Sequence, residues 1–124
     1  MEPGATTRRR IEEGRALFNA RRYFEAHEAW EQAWLVEEGP TRRVLQGLIQ
    51  IAAGFHKAGS GAPKPCVRLL SAGLEKLSAG LGDPALDAFA AAVGLCLEEA
   101  RRWERGEAAG VSSHPVLEAL TGVK

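Results

Sequence analysis

The stretch YFEAHEAWEQAW, residues 23–34, gathers Tyr23, Phe24, Trp30 and Trp34 around one histidine, His27, and three glutamates, Glu25, Glu28 and Glu31. Its apolar residues do not alternate; they recur at helical spacing, which predicts a helix and not a strand. With an advance of about 100° per residue, Tyr23, Trp30 and Trp34 share one face. Ala26 and Ala33 flank them on one side, Phe24 and Leu35 on the other. The expected buried arc is therefore wide, and His27 and Glu31, one turn apart, fall inside it. Glu25, Ala29 and Gln32 fall on the expected solvent side, with Glu28 at the margin.

The same periodicity extends in both directions. Upstream, Ile11, Gly14, Leu17 and Phe18 mark a helix that starts at Thr6 or Thr7, either of which can act as N-cap. Residues 19–22 are a short turn, and the helix of the quoted stretch runs on to about Glu37. The Gly39-Pro40 pair breaks the chain. A third helix follows from Pro40 or Thr41 to Lys57, with Val44, Leu48, Ile51 and Phe55 on one face. Gly47 and Gly54, seven residues apart, leave room for a neighbouring backbone. After the loop GSGAPKP (59–65), a fourth helix carries Cys66, Leu69, Leu70, Gly73, Leu74, Leu77 and Leu81. Asp83 caps a fifth, with Leu86, Phe89, Val93, Leu97 and Ala100 as its core stripe. A short sixth is expected near 115–120, capped by Ser112 or Ser113. No segment alternates with period two for long enough to be a strand. The fold class is all-α: one compact bundle over residues 1–124, with residues 1–5 as a tail and short connections that make sequential helices antiparallel neighbours.

Composition narrows the function. Sixteen basic residues balance sixteen acidic ones, so the chain lacks the basic footprint of a nucleic-acid binder. Residues 1–13 have no apolar signal region. The apolar run 44–55 is too short to span a bilayer and contains two glutamines. A soluble, cytoplasmic protein without a membrane partner is expected, and a homo-oligomer is compatible with the exposed setting of Trp103. Arginine outnumbers lysine and Asn19 is the only asparagine, a composition compatible with a thermophile. Cys66 and Cys96 are expected to be separate buried thiols.

A carboxylate on a buried face is costly unless it is paired, protonated or bound to a cation, and His27 can supply the pair for Glu31. Gln50 on the third helix is expected to reach the pair, with Gln46 on the same side and His56 one turn above Ala52. Three readings follow: a satisfied internal network, a small-molecule or peptide pocket lined by Phe24, Trp30 and Trp34, or a catalytic site. In the last, Glu31 or Glu28 would be the general base and His27 a general acid or metal ligand. No cofactor is expected. A divalent metal on His27, Glu31 and His56 is the weaker alternative, because the order is HxxxE and not the ExxH of carboxylate-bridged bundles. HEAWE also lacks the second histidine of HExxH.

Two resemblances bear on these residues. LFNARRYFEAHEAWEQAW is similar to a tetratricopeptide-repeat hairpin at Leu17, Tyr23, Ala26, Trp30 and Ala33, over one repeat only. More of the chain, residues 14–81, resembles a small prokaryotic family called domain of unknown function 309. The carrying segments are FNARRYFEAHEAWEQAW, then LQGLIQIAAGFHKAGSGAP, then LLSAGLEKL. Its pattern falls here on Asn19, Phe24, His27, Glu28, Glu31, Trp34, Gln46, Gly47, Gln50 and His56. The resemblance implies an all-helical fold and no particular reaction. The expectation is a non-catalytic binding or scaffold module with its polar cluster set among tryptophans; the alternative is a small enzyme or metal-binding protein.

Overall fold

A computed structural model describes residues 4–80 and 82–121. It contains five α-helices: α1 (Ala5–Asn19), α2 (Tyr23–Trp34), α3 (Gly39–Gly59), α4 (Pro63–Leu77) and α5 (Pro84–Glu104). A single 3₁₀ turn, Ser78–Gly80, follows α4. No strand occurs among the described residues, and the chain is all-α. Sequential helices pack on one another along the whole series. No helix among the described residues is long and apolar enough to cross a membrane.

The helix boundaries have local causes. α1 begins at Ala5 with Gly4 as its cap, earlier than the threonines suggest. Thr7 is buried, and its hydroxyl donates to Glu37 at 2.8 Å, so it ties α1 to the α2–α3 connection instead of capping. α2 stops at Trp34, three residues short of expectation, and Leu35 and Val36 are exposed. Gly39, at φ 64, and Pro40 begin α3. Asp83 accepts from the Ala85 N–H at 2.9 Å and caps α5 as expected. Leu81 lies outside the described residues.

Glycines set how closely the helices approach. A Cβ on Gly14 of α1 would land inside the Trp30 indole of α2. The Trp30 Nε1–H donates to the Ile11 carbonyl at 3.0 Å, and the ring is wholly buried. Between α3 and α4, a Cβ on Gly47 would stand 2.8 Å from the Gly73 carbonyl oxygen, and one on Gly73 2.7 Å from that of Gly47. The two backbones therefore touch, as the spacing of Gly47 and Gly54 anticipates. Phe18 is at the centre, with ring centroids of Tyr23, Trp30, Phe55 and Phe89 at 5.0, 5.8, 5.7 and 5.3 Å. Apolar side chains from all five helices complete this core, and Trp103 packs against it as a partial cover.

The expected sixth helix does not form. Residues 111–120 are a strap without regular secondary structure, tied to α1 and α5. The Asn19 amide accepts from the Leu117 N–H at 2.9 Å and donates to the Leu117 carbonyl at 3.0 Å. Arg15 donates to the same carbonyl at 3.1 Å. At the other end, Glu99 accepts from the Ser112 N–H and hydroxyl at 2.9 and 2.8 Å, which holds its carboxyl below the usual range. Pro115, Leu117 and Leu120 are buried. A helix this short is marginal alone; side chains of the bundle satisfy the strap's backbone better than its own i→i−4 bonds would. Ser112 is thus the donor to a carboxylate and not a helix cap.

Candidate functional site

α2 lies between α1 and α3, and that placement rotates its buried face away from the expected one. The residues it buries are Ala26, Ala29, Trp30 and Ala33. Three of the four are alanines, because α1 and α3 both come close. Ala29, expected in solvent, is buried. Phe24 is half exposed, and so is Leu35. His27, Glu31 and Trp34 form the edge of the buried face toward α3. The His27 Nε2 stands 3.6 Å from the Glu31 Oε2, with the side chains 27% and 47% exposed. The pair forms as its i, i+4 spacing requires, but at a rim open to water instead of in the core.

The α2–α3 seam can be followed by its contacts. Phe24 stacks on His27 at 6.0 Å and lies against His56 at 5.4 Å. Phe24, His27, Ala53, His56 and Lys57 line a cavity of about 230 Å³. Phe24, His56 and Lys57 are exposed, so the cavity opens to solvent. At the far end the Arg42 guanidinium covers the Trp34 ring at 4.1 Å. Three polar atoms on this seam's helices are buried without a hydrogen-bond partner: His27 Nδ1, Trp34 Nε1 and Gln50 Oε1. Buried polar atoms are paired in the great majority of cases, so three on two adjacent helices is a specific anomaly.

The ten residues singled out by sequence separate into groups. Phe24, His27, Glu31 and Trp34 meet the seam description, and His56 joins at its end; the Gln50 oxygen on α3 is buried without a partner and makes no hydrogen bond to the His27–Glu31 pair. Gln46 is half buried on α3. Asn19 is elsewhere, clamping the strap. Trp30 is core. Glu28 is exposed on the opposite side of α2, in a groove with Arg10, Glu13 and Gln32. The metal set His27, Glu31 and His56 is interrupted by the Phe24 ring, which contacts both histidines. No group of three or more His, Cys, Asp or Glu among the described residues is placed to hold a metal ion.

A second cavity, of about 550 Å³, was not anticipated. It is bounded by the start of α2, the end of α3 and the strap, and Phe24 and His56 form a wall common to both cavities. The Tyr23 hydroxyl shares a hydrogen bond of 3.2 Å with His114 Nδ1. Tyr23 also stacks on Phe55 at 5.3 Å, and burial raises its phenol above the usual value. A contact between residues 91 positions apart leaves no periodic signal. The local clue is the turn Asn-Ala-Arg-Arg (19–22), which ends a helix without the usual glycine.

Residues 11–69 match a family model described as Domain of unknown function (DUF309). No curated protein matches the chain. No solved structure matches it either.

Proposed function

With residues 11–69 matching the DUF309 family model, we propose that this chain is a non-catalytic binding module whose α2–α3 seam receives the ligand. The observation that carries the reading is His27 Nδ1, buried without a partner on a residue that lines an open cavity, with two more unpartnered atoms, Trp34 Nε1 and Gln50 Oε1, on the same two helices. The Trp34 N–H calls for an acceptor and the Gln50 oxygen for a donor. The His27 Nε2 is turned to Glu31, which leaves Nδ1 as the ring atom open to a ligand. A ligand bearing amide groups, such as a short peptide segment, offers both kinds of partner, and Phe24 supplies a flat apolar contact at the cavity mouth.

The reading has a consequence measurable without knowing the ligand. A site that is unsatisfied when empty costs stability, about 1–3 kcal/mol per buried group. Gln50→Met keeps the volume and removes the unpaired oxygen. Denaturant unfolding should show the variant more stable than the parent by about 1 kcal/mol. In the same variant, blocked peptides that shift the Trp34 indole N–H resonance of the parent should lose their effect. A Gln50→Met protein destabilised by a similar amount would mean that Gln50 serves the fold, and the proposal would fall.

A further inference from the structure

Three helices of this chain end in the same hydrogen-bond pattern. After α1, the Arg21 N–H donates to Phe18 and the Arg22 N–H to Leu17, both at 2.9 Å. After α3, Gly61 donates to Ala58 at 3.2 Å and Ala62 to Lys57 at 3.0 Å; after α5, Gly106 donates to Trp103 at 2.9 Å and Glu107 to Arg102 at 2.7 Å. This Schellman arrangement needs a left-handed residue just past the helix, normally glycine. Gly61 and Gly106 supply it at φ 77 and 78, but at α1 the position is held by Arg21, at φ 63. It is the one positive-φ residue other than glycine among the described residues. The chain thus keeps an arginine where its own usage elsewhere is glycine, and where a Cβ is unfavourable.

Arg21 lines the larger of the cavities described above, with Arg22, Tyr23, Phe24, His56 and His114. Among the described residues Glu25 is the only carboxylate in that wall, and Arg22 already pairs with it. Arg21 has no carboxylate partner among the described residues. Arg21, whose charge is felt at the Tyr23 phenol, His56 and the Tyr23–His114 pair therefore line the same space, with the half-exposed Phe24 ring beside them. The volume, about 550 Å³, is in the range of small-molecule sites. Guanidinium groups bind phosphate and carboxylate oxygens through paired N–H donors, and a flat apolar group can lie on Phe24.

We propose that this cavity binds a small organic anion, a phosphate or carboxylate on a flat body, with Arg21 as its principal anchor. The site does not depend on the seam reading: Phe24 and His56 are a common wall, and the other lining residues named here are different. The probes are phenyl phosphate and inorganic phosphate, followed by calorimetry and by the amide and side-chain resonances of Arg21, Tyr23, His56 and His114. Phenyl phosphate should bind saturably at millimolar concentration or below and at least several-fold more tightly than inorganic phosphate. Arg21→Gly should weaken it about tenfold or more while raising the melting temperature, because the backbone strain is relieved. A merely structural residue would not lose binding and gain stability together. Arg21→Lys should keep part of the affinity, and Gln50→Met all of it. Four results would overturn the proposal: no saturation at about 20 mM, equal binding of the two anions, unchanged binding by Arg21→Gly, or loss of binding by Gln50→Met, which would put the anion in the seam.

Discussion

At the scale of single residues, Cys66 and Cys96 show how burial sets chemistry. Both are free and buried. Burial pushes each thiol up to about 11 from its ordinary value of 9.0, and the nearby Cys96 adds to the effect on Cys66. Cys96 also lies 3.9 Å from the Ser113 carbonyl, to which its S–H can donate. Below pH 9 both the folded and the unfolded chain hold these protons, and the benefit of burying neutral thiols is complete. As pH rises from about 9 toward 11, the unfolded chain ionises first and stability falls. Urea unfolding at pH 8 and pH 10.5 should therefore show a larger loss in the parent than in a Cys66→Ala, Cys96→Ala variant. An equal loss would assign the decline to other groups. The same scale separates what a helical wheel reveals from what it hides. The i, i+4 relation of His27 and Glu31 is legible because it is local. Their exposure is not, because it depends on α1 and α3 closing over alanines, and a wheel weighted by bulky side chains puts the buried face under the tryptophans. Trp30 is core only because Gly14, sixteen residues earlier, leaves a space of its shape.

At the scale of elements, the helices themselves were legible from periodicity and punctuation: Asp83-Pro84 begins α5, and Gly39-Pro40 begins α3. The connection at the end of α2 and the C-terminal strap were not. Both are decided by partners distant in sequence, Thr7 with Glu37 and Asn19 with Leu117. The α3–α4 contact belongs here too. Gly47 and Gly73 place carbonyl oxygens where each other's Cβ would be, and neither backbone can yield without separating the helices. Gly73→Ala is expected to cost about 2–3 kcal/mol, read as a drop in the denaturation midpoint. A loss below about 0.5 kcal/mol would show that the crossing is plastic and that close approach is not what selects glycine there.

At the scale of the whole molecule, the aromatic junction around Phe18 draws α1, α2, α3 and α5 into one core, and balanced charge leaves the surface without a dominant sign. Nothing in that balance foretells where charge collects locally, which is why the cavity at Arg21 was invisible to composition. The Asn19 amide links the first helix to the strap across 98 residues of sequence. Asn19→Ala should destabilise the protein by about 1–3 kcal/mol, since it leaves the Leu117 N–H without its partner. Hydrogen exchange should quicken first at residues 115–120; uniform quickening across the chain would mean that the strap cannot open by itself.

That clamp also orders events in time. A chain leaves the ribosome from its N-terminus, and helices already released can begin to pack. Asn19 and Arg15 emerge early, yet the backbone they hold at Leu117 is made 98 residues after Asn19. Until then their donors and acceptors face water, and the groove that the strap fills stays open. The bundle can thus assemble in outline during synthesis, but its final closure must wait for translation to pass Leu117. A nascent chain stalled short of that point would carry the helices without their seal.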